Sequence, residues 1–504
     1  MQKEPVISQS SMRNVKSALV FRSIEVTVVP RIMQYKWKVI GITTVGTLMA
    51  GIDTRILVVG LPAIAQQLHA SADESIWMGQ AYLLTGTLFL LFVGRITDLF
   101  GKVKIFNFGF IVFTVGSVFC AISFNAFELI ASRAVQGVGY ALIVANSASI
   151  ITDSSPRNEL GKFLGLNVTA WRVGAIAGLS LSGLILSFVV WRGLFYINIP
   201  IGILGTVWGY RELREIGTKD ASKKMDWGGF ILFGIGLTSA LLAITFFSYG
   251  ISGSILAYSF LGLGIIFLAI FIKAESKSRF PLLDLTLFKI KAFAAGNLAL
   301  LINGTVFSGF TLLIAFYFEL GIGYTPLRSG VAIVPLEISF LILSLISGKL
   351  SDKYGSSGLS SSGLLISTVG ILLVATFNIS TPYPEVAIIL SIIGVGNGLF
   401  MPPNTRAIMS SVPANRRGVA NGFRSTMYNI GFASSYGLVI LFITFGMPYN
   451  SLSLLLQGGG TLPLARVEFL NGFRIAALML AILDGIAIIP SAMKGIKETR
   501  SSEI

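Results

Sequence analysis

Three acids stand in stretches that are otherwise almost pure hydrocarbon: Asp53 in AGIDTRILVVGL, Glu337 in AIVPLEISFLIL and Asp484 in LAILDGIAII. Four arginines, Arg55, Arg133, Arg172 and Arg424, have similar surroundings, and Arg474 lies nearer the end of its run. An ionised group at the centre of an apolar span costs about 2.5–3.5 kcal/mol to insert. Such groups are therefore expected to face a cavity or one another rather than lipid, and to mark a pathway. The chemistry they allow is ionic. A carboxyl in a poorly solvated cavity can load and release protons near working pH, and Asp53 is the first choice for that role; the alternative is a structural pair with Arg133 or Arg172. Glu337 follows Pro335 by two residues, and a proline interrupts the helix ladder, so Glu337 is expected beside a cavity. Asp484 reads as a packing partner for Arg474 or as an interfacial acid. Arg133 is either a tuner of a proton-carrying acid or a buried cation satisfied by backbone carbonyls. The excess of interior cations over interior acids fits an anionic solute.

Other chemistry is poorly served. The single histidine, His69, falls in a polar stretch and reads as a loop residue, and the single cysteine, Cys120, allows no disulfide within the chain. One His and one Cys build no His/Cys zinc site and no Cys–His pair with a second histidine. The long polar connections near 212–226, 274–290 and 446–469 hold no His, no Cys and no nucleophile elbow, which argues against a membrane-embedded lipid transferase. No G-x-x-x-x-G-K-[ST] occurs, so an ATP-driven pump is disfavoured. No metal and no cofactor is expected.

The elements that must hold these charges follow from composition. The chain has 504 residues, of which 54% are hydrophobic and 12% charged, against roughly 25% charged in soluble domains. Apolar runs long enough to span about 30 Å of hydrocarbon recur along it, and backbone in lipid must satisfy itself as helix. The runs predict fourteen transmembrane helices. Lys and Arg fall on alternate connections: the first 38 residues with seven of them, Lys102 and Lys104, Arg157 and Lys162, Arg211 to Lys224, Lys273 to Lys291, Lys349 and Lys353, Arg416 and Arg417, and Lys494 to Arg500. The other connections hold only Arg192, Arg328 and Arg466. That asymmetry puts both termini in the cytoplasm. The net charge of +15 accordingly reads as contact with anionic headgroups rather than with nucleic acid.

One charged phrase occurs twice, GRITDLFG at 94–101 and GKLSDKYG at 348–355. Both copies end a helix on the cation-rich side if the helices near 227–247 and 253–273 are an insert between two six-helix halves. The expected organisation is a basic arm at 1–37, a six-helix bundle at 38–211, a linker with the inserted pair at 212–290, a second six-helix bundle at 291–491 and a tail at 492–504. Gly94 is expected to let another helix approach closely. Asp98 should meet the positive N-terminus of a neighbouring helix or a cation, and Gly101 gives a sharp turn. With Gly348, Asp352 and Gly355 these residues form an expected latch between the halves, made in one state and broken in another. In the fifth helix Gly174, Gly178 and Ser182 repeat every four residues, a small-residue stripe expected to be the sliding face between halves.

GRITDLFGKVKIF resembles the signature loop of the major facilitator superfamily. MAGIDTRILVVGLPAIAQQL (49–68), RAVQGVGYAL (133–142), WRGLFYINIPIG (191–202) and PANRRGVANGFRSTMYNIG (413–431) resemble stretches of its fourteen-helix drug:proton antiporter branch. The resemblance covers nearly all of the chain after residue 38. It implies an all-α membrane protein of two six-helix bundles with pseudo-two-fold symmetry plus an inserted pair. It implies proton-coupled, multidrug-type export by alternating access in the cell membrane, with Asp53 in coupling and Arg133 tuning an acid. The partners implied are a small-molecule solute, protons and the bilayer, for a chain acting as a monomer. Two departures matter. GLSLSG (178–183) has Leu179 where the branch has Pro and Ser182 where it has Gly, which weakens the case for antiport. Arg55 replaces Thr and Val58 replaces Asn in the first helix. Arg55 is expected either to hold Asp53 ionised or to select an anion, which makes an organic-anion transporter using Arg55, Arg133 and Arg424 the competing expectation.

Overall fold

The computed structural model describes residues 9–156, 159–215, 226–278, 283–413, 416–458 and 463–494, with side chains from residue 35 onward. Arg157, the run 216–225, the tail beyond Lys494 and the side chain of Asp352, all named above, lie outside the described residues.

Fourteen helices among the described residues are long and apolar enough to cross a bilayer. They are α1 (Tyr35–Leu68), α2 (Ala72–Phe100), α3 (Lys102–Ile122), α4 (Ala126–Ser154), α5 (Lys162–Phe188), α6 (Gly193–Glu212) and α7 (Trp227–Phe247). The rest are α8 (Ser254–Lys277), α9 (Lys291–Gly321), α10 (Pro326–Ser351), α11 (Ser356–Val374), α12 (Tyr383–Ser410), α13 (Val419–Thr444) and α14 (Ala465–Ala492). The all-α class and the count of fourteen agree with the sequence. The backbone of the expected arm runs from Gln9 straight into α1 as one helix.

Local sequence explains where helices begin. Ser71 and Glu74 form a reciprocal capping box at the start of α2. The Asn125 side chain caps α4, and Thr325 followed by Pro326 starts α10. Gly101 and Gly355, matching glycines of the repeated phrase, have φ of +100° and +80° and give the sharp turns into α3 and α11.

Helices α1–α6 pack as one bundle, with α1 on α4 and α5 and with α3 on α4 and α6; α9–α14 pack as another, with α12 on α10 and α11 and with α9 on α13 and α14. The halves meet along two seams, α5 with α10 and α2 with α13. Helices α7 and α8 pack on each other, and α7 covers the α2–α13 seam.

The seams are tight at the cation-poor end. A Cβ on Gly183 would lie 2.2 Å from the Leu327 Cα, and one on Gly330 2.2 Å from the Leu179 carbonyl oxygen. Gly79 lies against the Tyr436 ring, and Gln80 Nε2 donates to the Ala433 carbonyl at 3.2 Å. Beyond them the Ala72 N–H donates to Ser453 Oγ at 3.2 Å, and the Tyr449 hydroxyl donates to Asp73. At the cation-rich end Gly94 and Gly348 have no atom within 4 Å of where a Cβ would sit. The halves are therefore closed at one end and parted toward the other.

This geometry corrects two expectations, on Gly94 and on the small-residue stripe. Gly94 marks no close helix approach. The carboxylate at the N-terminus of α3 is Glu215, which accepts from the N–H groups of Lys102 and Val103 at 2.8 and 3.0 Å; Gly101 leaves it room, since a Cβ there would strike Glu215. The Gly174–Gly178–Ser182 stripe is not the sliding face between halves. It packs inside the first bundle, where Cβ atoms on Gly174 and Gly178 would strike the Leu48 and Ile52 carbonyls of α1.

Candidate functional site

Asp53 lies near the middle of α1 with no exposed surface. Its Oδ2 accepts from Arg133 Nη1 at 2.7 Å, and its Oδ1 accepts from Gln136 Nε2 at 2.9 Å and Asn198 Nδ2 at 2.8 Å. The guanidinium is held in turn. Arg133 Nε donates to the Met78 carbonyl at 3.2 Å, Nη1 donates to Gln136 Oε1, and its carbon lies 4.1 Å from the centre of the Tyr82 ring. Gln136 Nε2 also donates to Ser117 Oγ at 2.9 Å. All these residues belong to the first bundle. Both carboxylate oxygens are engaged, so the desolvation of the charge is offset by an ion pair and two amide donors.

Arg55, two residues on, turns away from Asp53. It crosses to the second bundle, where its Nη2 lies 3.4 Å from Glu337 Oε1; Arg172 Nη1 lies 4.0 Å from Glu337 Oε2. Neither approach makes a hydrogen bond: the Nε, Nη1 and Nη2 of Arg55, the Nη1 of Arg172 and both Glu337 oxygens are buried without a partner. Aromatic faces fill the remaining space. The Arg55 guanidinium lies 5.7 and 5.5 Å from the Phe307 and Phe432 rings, and that of Arg172 lies 3.8 and 5.0 Å from Phe340 and Trp171. This group spans the halves and carries one net positive charge. Buried polar atoms are normally satisfied, and this cluster at the seam leaves six positions without a hydrogen bond.

The sequence-predicted residues thus separate. Asp53 and Arg133 meet each other, Arg55 and Glu337 meet across the seam, and Arg172 joins the second pair rather than Asp53. Arg424 is half-buried, its Nε donating to Asn421 Oδ1 at 3.2 Å. Asp484 is no partner of Arg474: Arg474 Nε donates to the Phe377 carbonyl at 3.2 Å, while Asp484 Oδ2 accepts from Thr368 Oγ1 at 3.2 Å. Ten residues of helix place the two about 15 Å apart along α14, too far for a pair. His69 is an exposed loop residue at φ 50° whose carbonyl accepts from Gln457.

Sequence reasoning assigned no role to Asn198 or to the contact of Asp73 with Tyr449. Asn198 could have been found as an amide opening the apolar run of α6. Asp73 gives no such signal, because its partner lies 376 residues away.

A family model described as Major Facilitator Superfamily matches residues 43–436. The chain is 30% identical over 421 residues to the riboflavin transporter RibZ of Clostridioides difficile (strain 630), covering 83% of this chain and 90% of that protein. It is 28% identical over 394 residues to the multidrug transporter protein MdtP of Bacillus subtilis (strain 168), covering 78% and 72%. In fold it is similar to a bacterial homologue of the human lysosomal transporter Spinster in an inward-facing, occupied conformation: TM-score 0.67, 15% identity, 91% of this chain and 97% of that one.

Proposed function

Because this chain belongs to the major facilitator superfamily, whose members here are transporters and not enzymes, we propose that it exports small amphipathic compounds in exchange for protons by alternating access. The cation-rich end and both termini face the cytoplasm on this reading. The observation that carries it is the Arg55–Glu337–Arg172 group, with unpaired polar atoms and aromatic walls at the seam. A solute seated there touches both halves, so its binding energy bears on their relative tilt. The name of the multidrug relative supports a range of small solutes; that of the riboflavin transporter supports an aromatic one.

The coupling follows from charge. Glu337 faces the solute and is loosely held, so an amphipathic cation and a proton compete for it, which is the linkage an exchanger needs. Asp53 is the second coupling acid: a proton there releases Arg133 and loosens the first bundle around α1 and α4. In everted vesicles with a pre-set pH gradient, ethidium should dissipate the gradient, and Asp53→Asn and Glu337→Gln should each abolish the response.

A second reading is favoured by the unpaired guanidinium nitrogens: an organic-anion transporter using Arg55 and Arg172. An anion competes with Glu337 for the same cations, so it binds together with a proton and moves in the same direction. Fluorescein accumulation lost in Arg55→Ala but kept in Asp53→Asn would select this reading. No response to ethidium, riboflavin or fluorescein would defeat both.

A further inference from the structure

Asp484 has no exposed surface. Thr368 Oγ1 donates to its Oδ2, and Oδ1 has no hydrogen-bond partner. The side chains that face it from the neighbouring helices are neutral: Asn303 of α9 and Ser367 and Thr368 of α11. Asn303 Nδ2 donates to Asn397 Oδ1 of α12 at 2.8 Å, and Asn397 Nδ2 donates to Ser367 Oγ at 3.0 Å. No charged or titratable side chain of α9, α11, α12 or α13 pairs with Asp484 among the described residues. The nearest cations along the chain are Arg474 of α14, bonded to the Phe377 carbonyl, and Lys494 just past its end, whose Nζ donates to Ser360 and Ser491. Each lies ten residues, about 15 Å of helix, away.

An isolated carboxylate in such a medium carries a large desolvation cost. Asp53 escapes it through Arg133; Asp484 has no such partner and must take up a cation. The donor set selects which one. Asn397 Oδ1 is already occupied by Asn303, and the Thr368 hydroxyl hydrogen points at the carboxylate, which leaves Asp484 Oδ1 without a hydrogen-bond partner. A metal ion needs several oxygens at once; a proton needs one.

We propose that Asp484 is a further proton-binding site, set in the C-terminal bundle and read by α10 through α12. The step is the addition of one proton to one carboxylate oxygen, with no other bond made or broken. The reading device is on the page. Asn397 reaches the cluster from one face of α12. The adjacent face lies backbone to backbone on α10, where a Cβ on Gly394 would strike the Leu336 carbonyl at 2.2 Å and one on Gly398 would meet the Phe340 carbonyl at 2.8 Å. Leu336 adjoins Glu337, and Pro335 weakens α10 at that turn. A change in the charge of Asp484 alters the amide chain that fixes α12, and so the seat of Glu337.

The transport role rests on the proton-coupled reading above, but the proton site does not. Purified protein at neutral pH should show the infrared carbonyl band of a protonated carboxyl, lost in Asp484→Asn. Carbodiimide, which attacks protonated carboxyls in apolar surroundings, should label Asp484 of the unaltered protein, with Asp53 left unlabelled; this readout needs no variant. In proteoliposomes Asp484→Asn should keep riboflavin counterflow and lose at least tenfold in accumulation driven by a pH gradient. Absence of both the band and the label, or disappearance of the band on adding sodium ions, would overturn the proposal. So would a variant whose gradient-driven accumulation equals that of the unaltered protein. If the unaltered protein shows the band and the label but no gradient-driven transport of any probe, the proton-coupled reading fails while the proton site stands.

Discussion

Asp53 and Glu337 are both carboxylates near the middle of a membrane-crossing helix, and each lies within reach of arginine. Asp53 has an ion pair, two amide donors and a guanidinium fixed by a carbonyl and a ring, all within one bundle. Glu337 has two cations at 3.4 and 4.0 Å and no hydrogen bond, and its cations come from the other bundle. The difference teaches that burial alone does not mark a site. A saturated charge holds a bundle together; an unsaturated one at a seam leaves hydrogen-bonding positions open.

The largest expected effect tests that contrast on stability. Arg133→Met leaves Asp53 buried and uncompensated, at a cost of about 3–5 kcal/mol. Thermal denaturation in detergent should show a marked loss for Arg133→Met and a much smaller one for Glu337→Gln. Equal losses would erase the distinction between the two acids.

The glycines extend the comparison from charges to packing. Gly174→Leu overfills the contact of α5 with α1 and should cost about 1–3 kcal/mol. Gly183→Leu overfills the seam instead, so it should leave each bundle intact and open the cation-poor end. Alkylation of Ser329→Cys from that side should then speed up in the Gly183→Leu background and not in that of Gly174→Leu.

A smaller effect concerns the free donors. If Glu337 competes with an anion for Arg55 and Arg172, Glu337→Gln should tighten fluorescein binding about tenfold, or ~1.4 kcal/mol, and Arg55→Ala should weaken it. Fluorescence anisotropy reads both, and a Glu337→Gln variant that binds no more tightly would remove Glu337 from the site.

The smallest effect uses a buried charge outside the spans. Lys494 is buried against the Ser360 and Ser491 hydroxyls and the Phe400 ring, and burial brings its ammonium from the usual 10.5 down to about 7. Between pH 7 and 10.5 the unfolded chain keeps a proton that the folded protein gives up, so stability rises with pH through that window. Lys494→Met should therefore stabilise most at or below pH 7, and its advantage should fade toward pH 10. A pH-independent gain would mean that Lys494 stays charged when folded.

Much of the fold was legible because hydrocarbon length and cation placement are linear signals. Fourteen apolar runs became fourteen helices among the described residues, and the repeated phrase carries matching positive-φ glycines at the same turn of each half. The site was legible only as a set of types. Asp53, Arg55, Arg133, Arg172 and Glu337 all stood out as ions in oil, but their pairing did not. Arg55 and Asp53 are neighbours in sequence and belong to different clusters, because residues two apart leave a helix about 200° apart. Asp484 was set beside Arg474 on proximity along the chain, and the helix rise separates them. The small-residue stripe suggests a sliding face between halves because spacing says that something packs closely there, not which helix does.

By itself the sequence determined that this protein lives in a bilayer as helices, in two related halves, with a few charges that lipid would reject; insertion cost and backbone hydrogen bonding depend only on local composition. Only the tertiary structure decided which charge answers which. Partners such as Asp53 with Arg133, and Glu337 with Arg55, lie 80 and 282 residues apart, and the direction in which a helix turns each side chain is fixed by the packing of its neighbours.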